Sequence, residues 1–377
     1  MSFELGPDYL EIRRRAQELA RSIEPLAAEA DECSTVHAGV LDALRSSGLT
    51  GLMVPVEYGG STERIDPLAI CIVREVLMGT SSHADSLFAL QGIGSYAITV
   101  AGTPEQRATW LPRVATADAL AALAITEPQA GSDVKNVSTT IVSKNGRLRV
   151  NGSKSFISNG LSAAFFEVFA KEEDGRFSMV LVPADTPGVT VTPTPEVIAP
   201  HVLGEVRFDD VVLPEQARLG PPGQGLDLVL ATLGVFRVSV AGAAVGLAQA
   251  ALEEAVRHTK TRVQFGRPLA RHGPVAQMLA DCWTEIEMAR LLTYRAASLA
   301  ANDPAAALPY SSMAKLAATE MASRVVDRCV QVMGRFGLVR HSKIERLYRQ
   351  ARPMRIYEGA SEVLRLGIAR QLTEEVR

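Results

Sequence analysis

The sequence predicts a multi-domain protein of α and β parts, helical first, then β, then helical again. Three observations carry this. Ile12, Ala16, Leu19, Ile23 and Leu26 recur at alternating spacings of four and three, one apolar stripe along a helix. From Leu123 to Leu213 short β-rich runs alternate with turns. Beyond Gly220-Pro221-Pro222-Gly223-Gln224-Gly225 the chain reads as long helices. These changes of texture divide it into a helical domain over 1–120, a β domain over 121–222 and a helical bundle over 223–377.

In order, a second helix is expected over Val40 to Ser47, stopped by Gly48, and Val54 to Ser61 is a turn-rich break. Helices resume at Pro67–Leu77 and Leu87–Ala101. Thr103-Pro104-Glu105-Gln106 is a helix start, with Thr103 as N-cap, Pro104 in the first position and an acid in the first turn. Strands are expected at Thr139–Val142, Leu148–Val150, Phe165–Ala170, Ser178–Val182, Val189–Val191 and Glu205–Phe208, with Asn145-Gly146 and Asn151-Gly152 as hairpin turns. Met313, Leu316, Ala317, Met321, Val325, Cys329 and Val332 mark one stripe of a long helix, and Leu228–Thr261 and Pro274–Ala301 make two more.

Composition narrows the function. The chain has 377 residues, 47% of them hydrophobic and 21% charged, enough for two or three domains with sizeable cores. A net charge of -3 and 5% aromatic residues give no footing for nucleic acid. Cys33, Cys71, Cys282 and Cys329 lie far apart with no metal-ligand spacing, which suits reduced thiols in a cytoplasmic protein and no metal. The apolar segment Leu228 to Leu252 is interrupted by Thr232, Arg237, Ser239 and Gln249, so a buried bundle helix explains it better than a membrane span. The N-terminus lacks a basic stretch followed by an apolar one, so no secretory signal is expected.

Four stretches carry chemistry. Thr126-Glu127-Pro128-Gln129-Ala130-Gly131-Ser132-Asp133 offers a turn with hydroxyls and backbone donors, a cradle for a planar polar ring or a phosphate. Asn151-Gly152-Ser153-Lys154-Ser155-Phe156-Ile157-Ser158-Asn159-Gly160 sets an aromatic among hydroxyls. The third is Arg262-Val263-Gln264-Phe265-Gly266-Arg267-Pro268-Leu269. The last, Arg355-Ile356-Tyr357-Glu358-Gly359-Ala360-Ser361-Glu362, holds an acid at a glycine-permitted turn before a helix that Ser361 could cap. Alone, each reads as an ordinary turn.

Together, in this order and across nearly the whole chain, they closely resemble the acyl-CoA dehydrogenase flavoprotein family. The resemblance implies a helical N-terminal domain, a β-barrel-like middle domain and a C-terminal four-helix bundle, with non-covalent FAD. By position, Leu123, Ile125, Thr126, Gly131 and Ser132 would line the flavin, Ser132 also touching substrate, and Phe156, Ile157 and Ser158 would lie beside its ring. Arg262, Gln264 and Phe265, with Gln331, Gly334 and Arg335, would reach the FAD pyrophosphate of a neighbouring subunit. Ala360, Ser361 and Glu362 would meet the diphosphate at a helix N-terminus. Such cross-subunit contacts imply a homo-oligomer, a dimer of dimers. Glu358 matches the catalytic base, removing the α-proton of an acyl thioester while the β-hydrogen leaves as hydride to flavin N5. Phe236 occupies the position where some members place the base, and cannot accept a proton. His201, Phe236, Arg237, Gly359 and Arg370 complete the implied substrate contacts, and electrons would pass to an electron-transferring flavoprotein or to oxygen.

The chain departs from the pattern in four places. Gly234 stands where CoA-thioester enzymes carry an acid, and Ala199 and His201 replace an arginine and a serine. Gly273 follows His272 in place of a glutamine, and Arg335 replaces the second glycine of a QxxGG motif. The first two weaken the expectation of CoA and leave an acyl-carrier-protein thioester as the close alternative. A flavin oxidase or monooxygenase, and a catalytically silent flavoprotein, are the other readings. Retention of Glu358 argues against both.

Overall fold

The computed structural model describes residues 4–375. The chain gathers into two compact units: one comprises residues up to Asp31, Pro67–Asp85 and Arg237 onward, the other Glu32–Asp66 and Ser86–Phe236.

The second unit is built on an eight-stranded sheet. Its path runs Val189–Pro193, Leu203–Pro214, Arg147–Ser158, Thr140–Lys144, Phe165–Glu172, Phe177–Pro183 and Arg218–Leu219, with Ala121–Ala124 added parallel to Phe165–Glu172. Alternation sets the inner face: Ala122 and Ala124 are buried while Leu123 and Ile125 are half-buried. Ile141, Leu148, Val150, Ile157, Phe166, Val168, Val180, Val206 and Phe208 share that core.

The hairpin at Asn145-Gly146 forms as expected, with φ of 53° and 73° joining Thr140–Lys144 to Arg147–Ser158. Asn151-Gly152 is not a turn. It lies inside the twelve-residue strand Arg147–Ser158, at a bulge where pairing shifts between Val150 and Gly152. Gly152 takes φ 149°, and a Cβ there would stand 2.4 Å from Thr139 Oγ1. The glycine is needed for close approach rather than chain reversal. A second irregularity between Lys154 and Ile157 turns Phe156 outward.

The helix expected over Leu87–Ala101 is two, Ser82–Ile93 and Tyr96–Ala101. The break falls at Gly94, whose missing Cβ would stand 2.7 Å from Ala122 N. The start at Thr103 is a complete capping box, with Gln106 N donating to Thr103 Oγ1 at 3.2 Å and Thr103 N to Gln106 Oε1 at 2.7 Å.

In the first unit the long helices are Gly225–Thr261, which enters it at Arg237, then Gly273–Asn302 and Pro304–Met333; Ser361–Glu375 follows. Helices Pro7–Ile23 and Pro67–Met78 belong to the same unit. Gly242 and Gly246 permit tight packing, since a Cβ would meet Cys71 O at 2.7 Å and Glu75 O at 1.8 Å. Among the described residues, Gly225–Thr261 is long and apolar enough to cross a membrane, but 78% of its most apolar window is buried inside the protein. It is a core helix.

Candidate active site

Glu358 sits at an unusual turn. Its φ is 51° and that of Gly359 is 108°, two successive residues in left-handed territory. Non-glycine residues pay strain there, so the surroundings must hold the conformation. Two cations do so. Arg237 Nε donates to the Glu358 carbonyl oxygen at 3.0 Å, and Lys315 Nζ donates to the Gly359 carbonyl oxygen at 2.7 Å. Arg237 is itself steadied by Nη1 donating to Ser312 Oγ at 3.1 Å. Beyond the turn, Arg355 Nε and Ser361 Oγ both donate to Glu320 Oε1, at 2.9 and 2.6 Å.

The carboxyl of Glu358 is treated differently from its backbone. Oε2 is buried with no hydrogen-bond partner. Loss of water pushes its pKa up, and the positive charges of Arg74, Arg237 and Lys315 work against that rise. Arg74 is buried and forms a two-point pair with Asp85, Nε to Oδ1 at 2.9 Å and Nη2 to Oδ2 at 2.7 Å, while Nη1 donates to Ser239 Oγ at 2.9 Å. Burial lowers Lys315 to about 8 and pushes the neighbouring Tyr357 hydroxyl up. The result is a carboxylate of raised basicity on a fixed turn, equipped to take a proton.

Of the residues gathered here, sequence reasoning named Glu358, Gly359 and Arg237 but not Arg74, Asp85, Ser312, Lys315 or Glu320. A lysine within an apolar helical stripe was the available signal for Lys315. Arg237, expected to touch substrate, is engaged by Glu358 and Ser312. Arg370 and Glu362 are exposed on the last helix, and Ala360 is half-buried.

In the sheet unit, the Thr126–Asp133 segment is fastened by a buried ion pair, Lys154 Nζ to Glu127 Oε1 at 2.8 Å. Lys154 Nζ also donates to Ile125 O at 2.9 Å, and Ser155 N to Thr126 O at 2.9 Å. Glu127 accepts from Thr139 N and Oγ1 through Oε1, and from Ser138 N and Oγ through Oε2. Burial alone would raise Glu127; these bonds and Lys154 hold it down at about 2. Ile125 and Thr126 are thereby fixed beside the Lys154–Ser158 strand, with Gly131 and Ser132 exposed.

Phe156 is 51% exposed with φ 55°, an outward aromatic ring on a strained backbone. Ser158 is half-buried and Ile157 faces the core. An aromatic face beside hydroxyls fits a planar ring cofactor such as a flavin. His201 Nε2 lies 3.1 Å from Ser158 Oγ and 3.3 Å from Ser86 Oγ. Phe236 is buried edge-on to Tyr96, centroids 5.6 Å apart. A Cβ on Gly92 would stand 2.4 Å from the Phe236 ring and 2.6 Å from Met53 Sδ.

In the helical unit Arg262 and Arg335 both lie by Phe336, their guanidinium carbons 5.7 and 5.1 Å from its ring centre. Gln264 and Phe265 project on a small hairpin, Val263–Gln264 paired with Arg267–Pro268, Phe265 being 94% exposed. Gln331 is exposed and Gly334 takes φ 58°. Two cations at one ring suit an anionic group such as a diphosphate.

Three family models match in sequence order: the acyl-CoA dehydrogenase N-terminal domain over residues 6–118, the middle domain over 122–211 and the C-terminal domain over 223–373. The chain belongs to the acyl-CoA dehydrogenase family. An acyl-CoA dehydrogenase of Bacillus subtilis is 35% identical over 368 residues, 96% of this chain and 97% of that protein. The structure of butyryl-CoA dehydrogenase from Megasphaera elsdenii superposes with a TM-score of 0.94 at 30% identity, covering 99% of this chain and all of that one. A glutaryl-CoA dehydrogenase from Mycobacterium smegmatis, solved in complex with FADH2, gives a TM-score of 0.91 at 25% identity over 99% and 96% of the chains. The protein is a flavoprotein oxidoreductase acting on CH–CH donors, with FAD as cofactor and acyl-CoA dehydrogenation as its general activity.

Proposed function

We propose that the protein desaturates an acyl-CoA thioester between Cα and Cβ, with Glu358 taking the α-proton. The observation that carries this is Glu358 itself: a buried carboxylate oxygen without a partner, raised in basicity by desolvation, on a turn whose backbone is fixed while its side chain is left free to accept. Bound FAD supplies the hydride acceptor at N5. Phe156 and the Ile125–Thr126 segment would hold its ring system, while Arg262 and Arg335 would meet the phosphates of the FAD of a neighbouring subunit. A thioester α-proton is weakly acidic, so a base of raised pKa is better matched to it than an ordinary carboxylate. Phe236, buried against Tyr96, offers no second base.

One observation favours an acyl-carrier-protein thioester as the alternative substrate. His201, at the position of the missing substrate serine, has its ring nitrogen placed between Ser86 and Ser158, and Gly234 supplies no acid. A carrier protein presents only its phosphopantetheine arm, which needs no adenosine contacts. Electron-transferring flavoprotein is the proposed acceptor. The projecting Phe265 hairpin and the two arginines at Phe336 suit a homotetramer built as a dimer of dimers, and four cysteines joined in no disulfide suit the cytoplasm.

The test is anaerobic mixing of the FAD-loaded Glu358→Gln protein with acyl-CoAs and acyl carrier proteins, following oxidised-flavin absorbance. Wild type should bleach with its substrate class and the variant should not. Bleaching of the variant at the wild-type rate would refute Glu358 as base.

A further inference from the structure

Lys315 is wholly buried in the thirty-residue helix Pro304–Met333, between Ala314 and Ala318, which are buried too. A buried ammonium is costly unless something compensates it. Among the described residues no carboxylate lies within ion-pair distance of it, and its one hydrogen-bond acceptor is the Gly359 carbonyl at 2.7 Å. If the position served packing alone, a methionine or leucine would fill it without the desolvation cost.

Three side chains of this helix converge on the base-bearing segment. Ser312 accepts from Arg237, which holds the Glu358 carbonyl; Lys315 holds the Gly359 carbonyl; Glu320 accepts from Arg355 and Ser361 on either side. Two successive carbonyls of a left-handed turn are thus gripped by two cations, while the carboxylate they carry is gripped by none.

We infer that Lys315 is a positioning residue for the α-proton abstraction: its ammonium fixes the Gly359 carbonyl, and with it the direction of the Glu358 carboxylate, and places a positive charge beside that carboxylate. The inference rests on Glu358 being the base. It explains a buried lysine with a carbonyl partner. The turn needs a donor that reaches deep into the bundle, and the carboxylate needs a cation that does not occupy its oxygens. The groups facing Glu358 are Arg74, Arg237 and Lys315, which favour its charged form, and Asp85, which opposes it. Tyr357, next along the chain, and the Arg74–Asp85 pair complete the surroundings. Lys315 in turn faces Glu358, Arg237, Glu320 and Glu362.

The test compares Lys315→Met, which removes donor and charge, with Lys315→Gln, which keeps a neutral donor. Both are read by anaerobic single-turnover flavin bleaching across pH, alongside FAD content and thermal midpoint. For Lys315→Met the limiting rate should fall roughly 10- to 100-fold, the size of a general-base contribution partly lost. The substrate concentration for half-maximal rate should change little. In both variants the rise of rate with pH should move to higher pH than in wild type, because the carboxylate has lost a stabilising cation. Lys315→Gln should keep more of the rate. Wild-type rate and pH profile in Lys315→Met overturns the inference. So does a slow variant whose profile superimposes on wild type, since a structural defect alone lowers the rate without moving the profile. If Lys315→Met does not fold, the profile of Lys315→Gln decides the matter. Glu358→Gln in the same series separates the readings: its bleaching at the wild-type rate removes the base assignment itself, whereas a silent Glu358→Gln beside an unaffected Lys315→Met removes only the role of Lys315.

Discussion

Arg237 holds Glu358 by its backbone and not by its carboxylate: Nε donates to the carbonyl oxygen at 3.0 Å. An arginine on the carboxylate itself would stabilise the charge through two hydrogen bonds and depress the basicity the reaction needs. Placed on the carbonyl, it contributes a cation at longer range and fixes the turn. Lysine carries the charge but cannot bond Ser312 and the Glu358 carbonyl as a planar fork does. Arg237→Lys should lose one hydrogen bond of the charged kind, worth about 1.5–3 kcal/mol. If that loss falls on the transition state, anaerobic bleaching slows about 10- to 100-fold. FAD content should remain at the wild-type level.

Gly359 should not tolerate a side chain. Its φ of 108° lies outside what other residues adopt readily, and a Cβ would stand 2.9 Å from Leu364 Cδ2 and 3.6 Å from Arg237 Nη2. Gly359→Ala should cost roughly 1–3 kcal/mol in strain and displace Glu358. Its thermal midpoint and its bleaching rate should both fall. Gly367→Ala is the contrast, since no atom lies within 4 Å of a Cβ there.

Glu167 sets a pH dependence of stability. It is fully buried on the strand Phe165–Glu172, with Oε1 accepting from Ile98 N at 2.9 Å and Oε2 unpartnered. Burial pushes its pKa up to about 8. A carboxyl raised on folding binds its proton more tightly in the native state. Its contribution is therefore full below the ordinary glutamate range and is lost as pH rises toward 8. Glu167→Gln keeps an acceptor for Ile98 and never ionises. Denaturant midpoints measured from pH 5 to 9 should decline less for the variant than for wild type. A parallel decline would exclude Glu167 as the source.

The helical, sheet, helical order was legible because the periodicity of apolar residues changes along the chain, and the N-cap at Thr103 was legible because it is local chemistry. What escaped depends on neighbours distant in sequence. Ala121–Ala124 is a strand made of weak strand formers, and only its parallel pairing with Phe165–Glu172 makes it one. Asn151-Gly152 carries turn chemistry that a bulge against Thr139 uses instead. The stripe read through Met313, Leu316 and Ala317 follows half-buried positions. The buried face runs through Ala314, Lys315 and Ala318, so apolar counting passed over this lysine. Of the candidate site, Glu358 lay in a motif and Arg237 came only with the family resemblance, while the Arg74–Asp85 pair joins two helices that no motif links.

Arg335, which stands where the resemblance expects the second glycine of a QxxGG motif, shares one aromatic ring with Arg262. Its guanidinium carbon lies 5.1 Å from the Phe336 ring centre, and Arg262 approaches the same ring at 5.7 Å. Two like charges gathered at one ring repel unless an anion shares them, and stacking presents each guanidinium in a fixed plane. With the FAD diphosphate as that anion, Arg335 adds a charged contact where a glycine would allow only backbone approach. Arg335→Gln should weaken FAD binding by about tenfold, roughly 1.4 kcal/mol. The loss of affinity with added salt should also be shallower than in wild type, because one fewer charge is screened. Titrating deflavinated protein with FAD at low and high salt, by flavin fluorescence, measures both. An unchanged dissociation constant at low salt would show that Arg335 merely stacks on Phe336.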